Sequence, residues 1–236
     1  MPRFGTVIFD CDSTLSTVEG IEELAAAHRA EVAALTEAAM RGVIPLEEVY
    51  AQRLAAARPS RARVEALGRR YIETLVADAR ETVAVLLAER IDVRILSGGL
   101  APAVLMLARA LAIPEDRVAA VDVRFDDAGE YAGYDAGSPL AYAGGKRVVI
   151  ERWAPELVRP IMMVGDGATD LETRPVVDLF VAFAGVIERP AVTAAAEIVV
   201  RSPSLAPILP LALGGAEPDR GDAAVVFSKG VRLLEW

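Results

Sequence analysis

Two carboxylates, Asp10 and Asp12, stand one residue apart directly after the apolar run Thr6-Val7-Ile8-Phe9. Like charges that close raise each other's pKa and resist joint ionisation. A site that keeps both uses one of them to move a proton, or recruits a cation. An oxygen-only donor set suits a hard divalent ion, and Mg²⁺ is the expected one. The chemistry that joins these parts is metal-assisted phosphoryl transfer.

The residue types fit that chemistry. Asp10 is ionised at neutral pH, so it can attack phosphorus without a base and become an aspartyl-phosphate. Asp12 can protonate the leaving alkoxide and later activate water. Mg²⁺ would be held by Asp10, the backbone carbonyl of Asp12, Asp166 and a phosphate oxygen. Ser97, with the backbone N–H groups of Gly98 and Gly99 at a helix start, makes an anion site. Lys146 follows Gly144-Gly145, is one of two lysines in the chain, and can supply a fixed positive charge. Asp170, four residues after Asp166, either braces the metal shell or caps a helix. Taken singly, each Asp fits an N-cap or turn, Ser97-Gly98-Gly99 an ordinary strand–helix turn, and Lys146 a solvated surface position. Their joint placement argues for a shared site.

The elements that must position them follow from periodicity. Val7-Ile8-Phe9 is continuous rather than alternating, as in a strand buried on both faces. Region 16–77 is rich in Ala, Glu and Arg with helical spacing. Ile21, Leu24, Ala25, His28, Val32 and Leu35 share one face; Leu46, Val49, Tyr50, Arg53, Leu54 and Ala57 share another. A helix capped by Asp78 is expected to about residue 90, then a strand over 93–96 and a helix over 101–111 with Pro102 in its first turn. Strands are expected over 118–125 and 130–134, a helix over 146–153, and strands over 161–164, 179–183 and 197–200. This alternation predicts an α/β, doubly wound, Rossmann-like parallel sheet interrupted by a helical insert. The expected domains are a core of 1–15 and 78–213, a cap of 16–77, and a tail of 214–236. The tail reads as a linker and a β-hairpin, an added sheet edge or dimer contact. In such sheets ligands bind at the carboxyl ends of the strands near the topological switch point, where Asp10, Ser97 and Asp166 all fall.

Bulk properties narrow the partners. The 236 residues carry a formal net charge of −9, which argues against nucleic acid and anionic membranes. No apolar run approaches the roughly 18 residues of a membrane span. The first strand begins at about Phe4, leaving no room for a signal peptide. Cys11 is the single cysteine, so no internal disulfide forms, as expected of a reducing, cytoplasmic compartment. No G-x-G-x-x-G follows the first strand, against a dinucleotide site.

Asp10-Cys11-Asp12-Ser13-Thr14-Leu15, Ser97-Gly98-Gly99, Lys146 and Gly165-Asp166-Gly167-Ala168-Thr169-Asp170 resemble the four motifs of the haloacid-dehalogenase-type phosphatases. The resemblance runs over 7–213 and is strongest to the members that act on phosphoserine. It implies an Mg²⁺-dependent hydrolase of O-phospho-L-serine, the final step of serine biosynthesis, working as a monomer or homodimer. It also implies that Glu19, nine residues after Asp10, binds the substrate ammonium, and that Arg53 binds its carboxylate. Met40 would line the serine pocket, and Thr169 and Arg189 would contact substrate. On the residues alone, Arg53 equally suits an internal salt bridge, Met40 core packing, and Arg189 the surface. Cys11 departs from the usual Phe or Val, and Ala77-Asp78 stands where many relatives have Pro-Gly. Phosphoethanolamine, phosphohomoserine and small sugar phosphates are alternative substrates, and a phospho-ligand-binding regulator without turnover is an alternative function.

Overall fold

Residues Thr6–Phe9 are all buried, as a strand covered on both faces requires. The computed structural model describes residues 3–25, 30, 32, 34–35, 46–219 and 221–234. Among these the chain runs β1 (Thr6–Phe9), α1 (Gly20–Leu24), α2 (Leu46–Ala57), α3 (Arg61–Glu73), α4 (Ala79–Ala88), β2 (Asp92–Leu100), α5 (Ala101–Ala110), β3 (Val118–Val121), β4 (Val123–Phe125) and β5 (Tyr131–Tyr134). It continues through α6 (Gly145–Trp153), β6 (Ile161–Gly165), α7 (Ala168–Leu171), β7 (Leu179–Phe183), α8 (Pro190–Thr193), β8 (Ile198–Val200), α9 (Ile208–Ala212) and α10 (Gly221–Leu234).

Six strands form a parallel sheet in the order β3-β2-β1-β6-β7-β8. The chain steps outward from β1 to β2 and β3, then resumes on the other side with β6. The switch point therefore lies between β1 and β6, and Asp10 and Asp166 follow those two strands. Met162, Met163 and Val164 on β6 and Phe180, Val181 and Phe183 on β7 are fully buried. The strand expected over 118–125 divides: β3 stays in the main sheet, while β4 leaves it to pair antiparallel with β5.

The helical insert leaves and rejoins the sheet at one place. Thr17 N–H donates to Thr74 O at 2.9 Å, and Val76 N–H donates to Leu15 O at 2.9 Å. Helix α3 packs on α5, the helix that follows β2. The β4–β5 hairpin supports the insert from the core side. Arg58 lies over Tyr131 at 5.8 Å and Arg61 over Phe125 at 4.9 Å, both cation–π contacts. His28 and Met40 lie outside the described residues.

The tail corrects one expectation. Residues 221–234 form helix α10, not a β-hairpin, and α10 packs on α4 and α9 of its own chain rather than extending the sheet. Its apolar run is helical in period: Ala223, Phe227 and Gly230 are its buried residues. A second correction concerns Asp78. It stands at the N-cap of α4, but in a left-handed conformation (φ 59°) and without a capping hydrogen bond. Its carboxylate instead accepts from Ser204 Oγ at 2.5 Å and Lys229 Nζ at 2.6 Å, tying α10 to the core.

Burial opposes ionisation of Asp78, but Lys229 and Ser204 outweigh it and hold the pKa below its usual value. A depressed carboxylate pKa stabilises the fold above the unfolded value and stops doing so as pH falls through the folded one. Asp78→Ala is therefore expected to cost about 1–2 kcal/mol at pH 7. The Tm difference from the parent should narrow at a pH below the ordinary carboxylate range. Thermal melts of both proteins at the two pH values test this; equal Tm at pH 7 would remove the tie.

Candidate active site

Beyond β1 the ladder continues for one more residue, because Asp10 N–H donates to Val164 O at 2.9 Å. The chain then turns sharply. Ser13 is left-handed (φ 52°), and the N–H groups of Leu15 and Ser16 both return to Cys11 O at 3.0 Å. A left-handed serine stores on the order of 1–3 kcal/mol of strain, a cost that persists where the surroundings enforce it. The turn leaves Asp10 at the sheet end and directs Asp12 to the insert.

Asp10, Lys146 and Asp170 form one buried ion-pair chain. Lys146 Nζ lies 2.8 Å from Asp10 Oδ1 and 2.6 Å from Asp170 Oδ1. Lys146 is only 5% exposed, which rules out a solvated surface lysine. It sits in the first turn of α6, after left-handed Gly144. Asp170 Oδ2 accepts from Gly167 N–H at 2.9 Å, so both its oxygens have donors. Gly165 is required beneath it: a Cβ there would lie 2.2 Å from Asp170 Cγ. Asp166 accepts from Thr14 Oγ1 at 3.2 Å and from Arg189 Nε at 3.0 Å. Asp10, Asp166 and Asp170 each offer a carboxylate oxygen within 4.8 Å of the others, and all three are buried.

The electrostatics follow from this crowding. Burial, then Asp170, raise Asp10 well above the usual carboxylate range against the pull of Lys146. Burial and Asp170 push Asp166 up to about 7, opposed by Arg189. Burial works against charging Lys146, but Asp10 and Asp170 prevail and hold it protonated. Three buried acids thus share one lysine and one arginine. A hard, oxygen-coordinated cation fits such a donor set. The thiol of Cys11 is pushed up by burial, then by Asp12 and Asp10, so it stays protonated and serves as a small apolar filler.

Ser97, Gly98 and Gly99 lie in an irregular stretch of β2. The pairing with β3 jumps from Leu96↔Ala119 to Leu100↔Val121, so these residues fall outside the regular ladder. Ser97 Oγ accepts from Gly99 N–H at 2.9 Å, and Tyr50 Oη of the insert donates to Gly98 O at 2.9 Å. Helix α5 begins directly after, as an anion site needs.

The insert supplies the remaining polar groups. Glu19 occupies the N-cap position of α1 without capping it; its Oε1 accepts from Ser13 Oγ at 2.7 Å and Arg189 Nη2 at 3.2 Å. Arg189 is therefore no free surface arginine but a bridge between Glu19 and Asp166. Arg53 is half-buried, and its Nε is buried without a hydrogen-bond partner. No ion pair holds it among the described residues. Asp12 accepts from Gly20 N–H at 3.1 Å and Tyr71 Oη at 2.5 Å. Burial, then Glu19, push Asp12 up to about 6, while Tyr71, Gly20 and Arg53 oppose the rise. Thr169 is half-buried in the first turn of α7 and forms no hydrogen bond to the cluster among the described residues.

Tyr50, Tyr71 and Thr14 join the site without having been singled out by spacing. Tyr71 shares its helix face with Val64, Leu67 and Gly68, so its position reads as core. The one available signal was its hydroxyl, which a buried tyrosine must satisfy.

The comparisons with known proteins agree with this geometry. Residues 4–173 match the family model of haloacid dehalogenase-like hydrolases. A phosphoserine phosphatase from Bos taurus is 40% identical over 186 residues, 78% of this chain and 83% of its own. A structure of a phospho-aspartyl intermediate analogue of phosphoserine phosphatase superposes with a TM-score of 0.73 at 26% identity, covering 89% of this chain and 99% of that one. A substrate-bound phosphoserine phosphatase complex gives a TM-score of 0.74 at 25% identity, with the same coverage. The chain belongs to the haloacid dehalogenase-like hydrolase family, within its phosphoserine phosphatases.

Proposed function

We propose that this chain hydrolyses O-phospho-L-serine to L-serine and phosphate with Mg²⁺ as cofactor, the last step of serine biosynthesis. The observation that carries the reading is the buried Asp10–Lys146–Asp170 chain at the carboxyl end of β1, with Asp166 beside it. An Asp10 oxygen bonds to phosphorus as the bond from phosphorus to the serine oxygen breaks, and that oxygen takes a proton from Asp12. Water then adds to phosphorus and gives a proton to Asp12, and the bond to Asp10 breaks to release phosphate. When bound, the divalent ion offsets the charge that keeps a phosphate dianion from a carboxylate. Asp10, the backbone carbonyl of Asp12 and Asp166 are the ligands we assign to it, with Asp170 bracing them. Ser97, Lys146 and Gly98 N–H are assigned to phosphate, and Gly99 N–H orients the Ser97 hydroxyl.

The substrate assignment rests on Arg53 and Glu19. A buried guanidinium nitrogen without a partner is costly, and a carboxylate satisfies it. Glu19 is the anion assigned to the ammonium, and Arg189 must yield it when substrate arrives. Thr169 completes the substrate side, and Met40, outside the described residues, keeps its assignment to the serine pocket. Region 16–77 is proposed as a cap that closes over Asp10 and excludes water during aspartylation. No helix among the described residues is long and apolar enough to cross a membrane. The cytoplasmic assignment rests on the single cysteine, which suits a reducing compartment, and the enzyme is proposed as a monomer or homodimer.

In a panel of phosphomonoesters, O-phospho-L-serine should give the highest kcat/KM; a better sugar phosphate or phosphoethanolamine would overturn the substrate, and no turnover at all would favour a binding regulator. Arg53→Ala should lose about 2–3 kcal/mol on phosphoserine, a fall of about 30- to 150-fold, while an aryl phosphate stays within a few-fold. Equal losses on both would sink the carboxylate role. Asp10→Asn should abolish turnover and the phosphoenzyme seen by mass spectrometry after rapid quench. Chelation should likewise stop turnover, with Mg²⁺ restoring it; full activity in chelator would remove the metal from the reading.

A further inference from the structure

Asp12 reaches the insert by both of its oxygens, and the two donors it meets differ in kind. Gly20 N–H can only donate, so Oδ2 can only accept there. Tyr71 Oη can donate to a carboxylate or accept from a carboxylic acid, so Oδ1 keeps a partner in either state. The tyrosine has no other freedom. It is fully buried on α3, and its hydroxyl is wedged against two backbone positions. A Cβ on Gly20 would lie 2.0 Å from Tyr71 Oη, and one on Gly99 would lie 3.3 Å from it. The hydroxyl therefore stands where the insert, the turn after β1 and the Ser97-Gly98-Gly99 stretch meet. Helix α3 also packs on α5, the helix that opens just after that stretch.

We propose that Tyr71 is a positioning residue for the acid/base Asp12, fixing its carboxylate through the 2.5 Å hydrogen bond and so tying proton delivery to the seating of helix Arg61–Glu73 on the core. The inference rests on the reading of Asp12 as the group that protonates the leaving oxygen. Burial keeps the phenol far from ionisation, so it remains a hydroxyl throughout the reaction. The hydrogen bond of Tyr71 goes to Asp12 and not to Asp10, Asp166 or Asp170. Its contribution acts through where Asp12 points.

A leaving group of low basicity departs without a proton, and one of high basicity does not, so a displaced acid is felt only by the second. Tyr71→Phe should be assayed on aryl phosphates graded from 2,4-dinitrophenyl to phenyl, reading kcat/KM, which reports the aspartylation step. Phenyl phosphate should lose roughly 10-fold or more, and the dinitrophenyl ester less than about twofold, since general acids contribute about 10²- to 10⁴-fold when fully in place. Asp12→Asn should show the same gradient, steeper. Gly20→Ala, whose methyl would push the hydroxyl off Asp12, provides a second route should Tyr71→Phe not fold, and the same gradient is expected. A uniform loss along the series, or none, overturns the positioning role while leaving Asp12 untouched. A flat series for Asp12→Asn overturns the acid/base reading and the inference with it.

Discussion

An ammonium buried between two carboxylates is the constraint on which the rest of this site depends. Lys146 is inside the protein only because Asp10 and Asp170 are within 2.8 and 2.6 Å of it. Removing charges from water costs several kcal/mol per ion unless partners and hydrogen bonds compensate. Each member therefore requires the others. Asp170 can lie under β6 because Gly165 has no side chain there, and Lys146 can reach in because α6 starts from a left-handed glycine. Asp10 can meet them because β1 and β6 are neighbours at the switch point of the sheet. Removing one carboxylate would leave a buried lysine undercompensated, so structural and chemical roles coincide in these residues.

The chain still carries more negative charge here than its own cations offset. Asp166 and Asp10 are held above the ordinary carboxylate range, and Arg189 reaches across to share the load. A cluster in this state is prepared for a dication: binding one replaces mutual repulsion with coordination. The same crowding explains why Asp12, two residues from Asp10, turns the other way. Its oxygens are taken up by Gly20 and Tyr71, at a distance from the lysine that serves its neighbour.

The insert shares one apolar core with the sheet, with α3 packed on α5, and polar groups complete the joint near the site. Tyr50 bonds to Gly98 O, Tyr71 to Asp12, and Arg189 of the core to Glu19. The β4–β5 hairpin adds two cation–π contacts. Individually these are modest, and such contacts can be broken and remade at little cost. They are the contacts that the proposed closure of 16–77 over substrate would break and remake.

Much of this was readable in the residues. The unbroken apolar run before Asp10 specified a central parallel strand, and the placement of Asp10 and Asp166 after strands pointed to one end of one sheet. Ser97, expected after a strand ending at 96, lies inside β2, where the ladder turns irregular. Local chemistry is enough there, because strand burial and motif geometry involve neighbouring residues. Residues distant in the chain behaved differently. Tyr71, 59 positions from Asp12, looks like one more apolar residue of α3 until folding sets its hydroxyl beside that carboxylate. Asp78 looks like an N-cap until Lys229, 151 positions away, claims it. The tail looked like strands because Ala224-Val225-Val226-Phe227 is rich in β-formers, yet packing against α4 and α9 made it a helix. Burial and long-range pairing are properties of the assembled chain, and they outweigh local preference wherever a polar group or apolar face finds its partner far along the sequence.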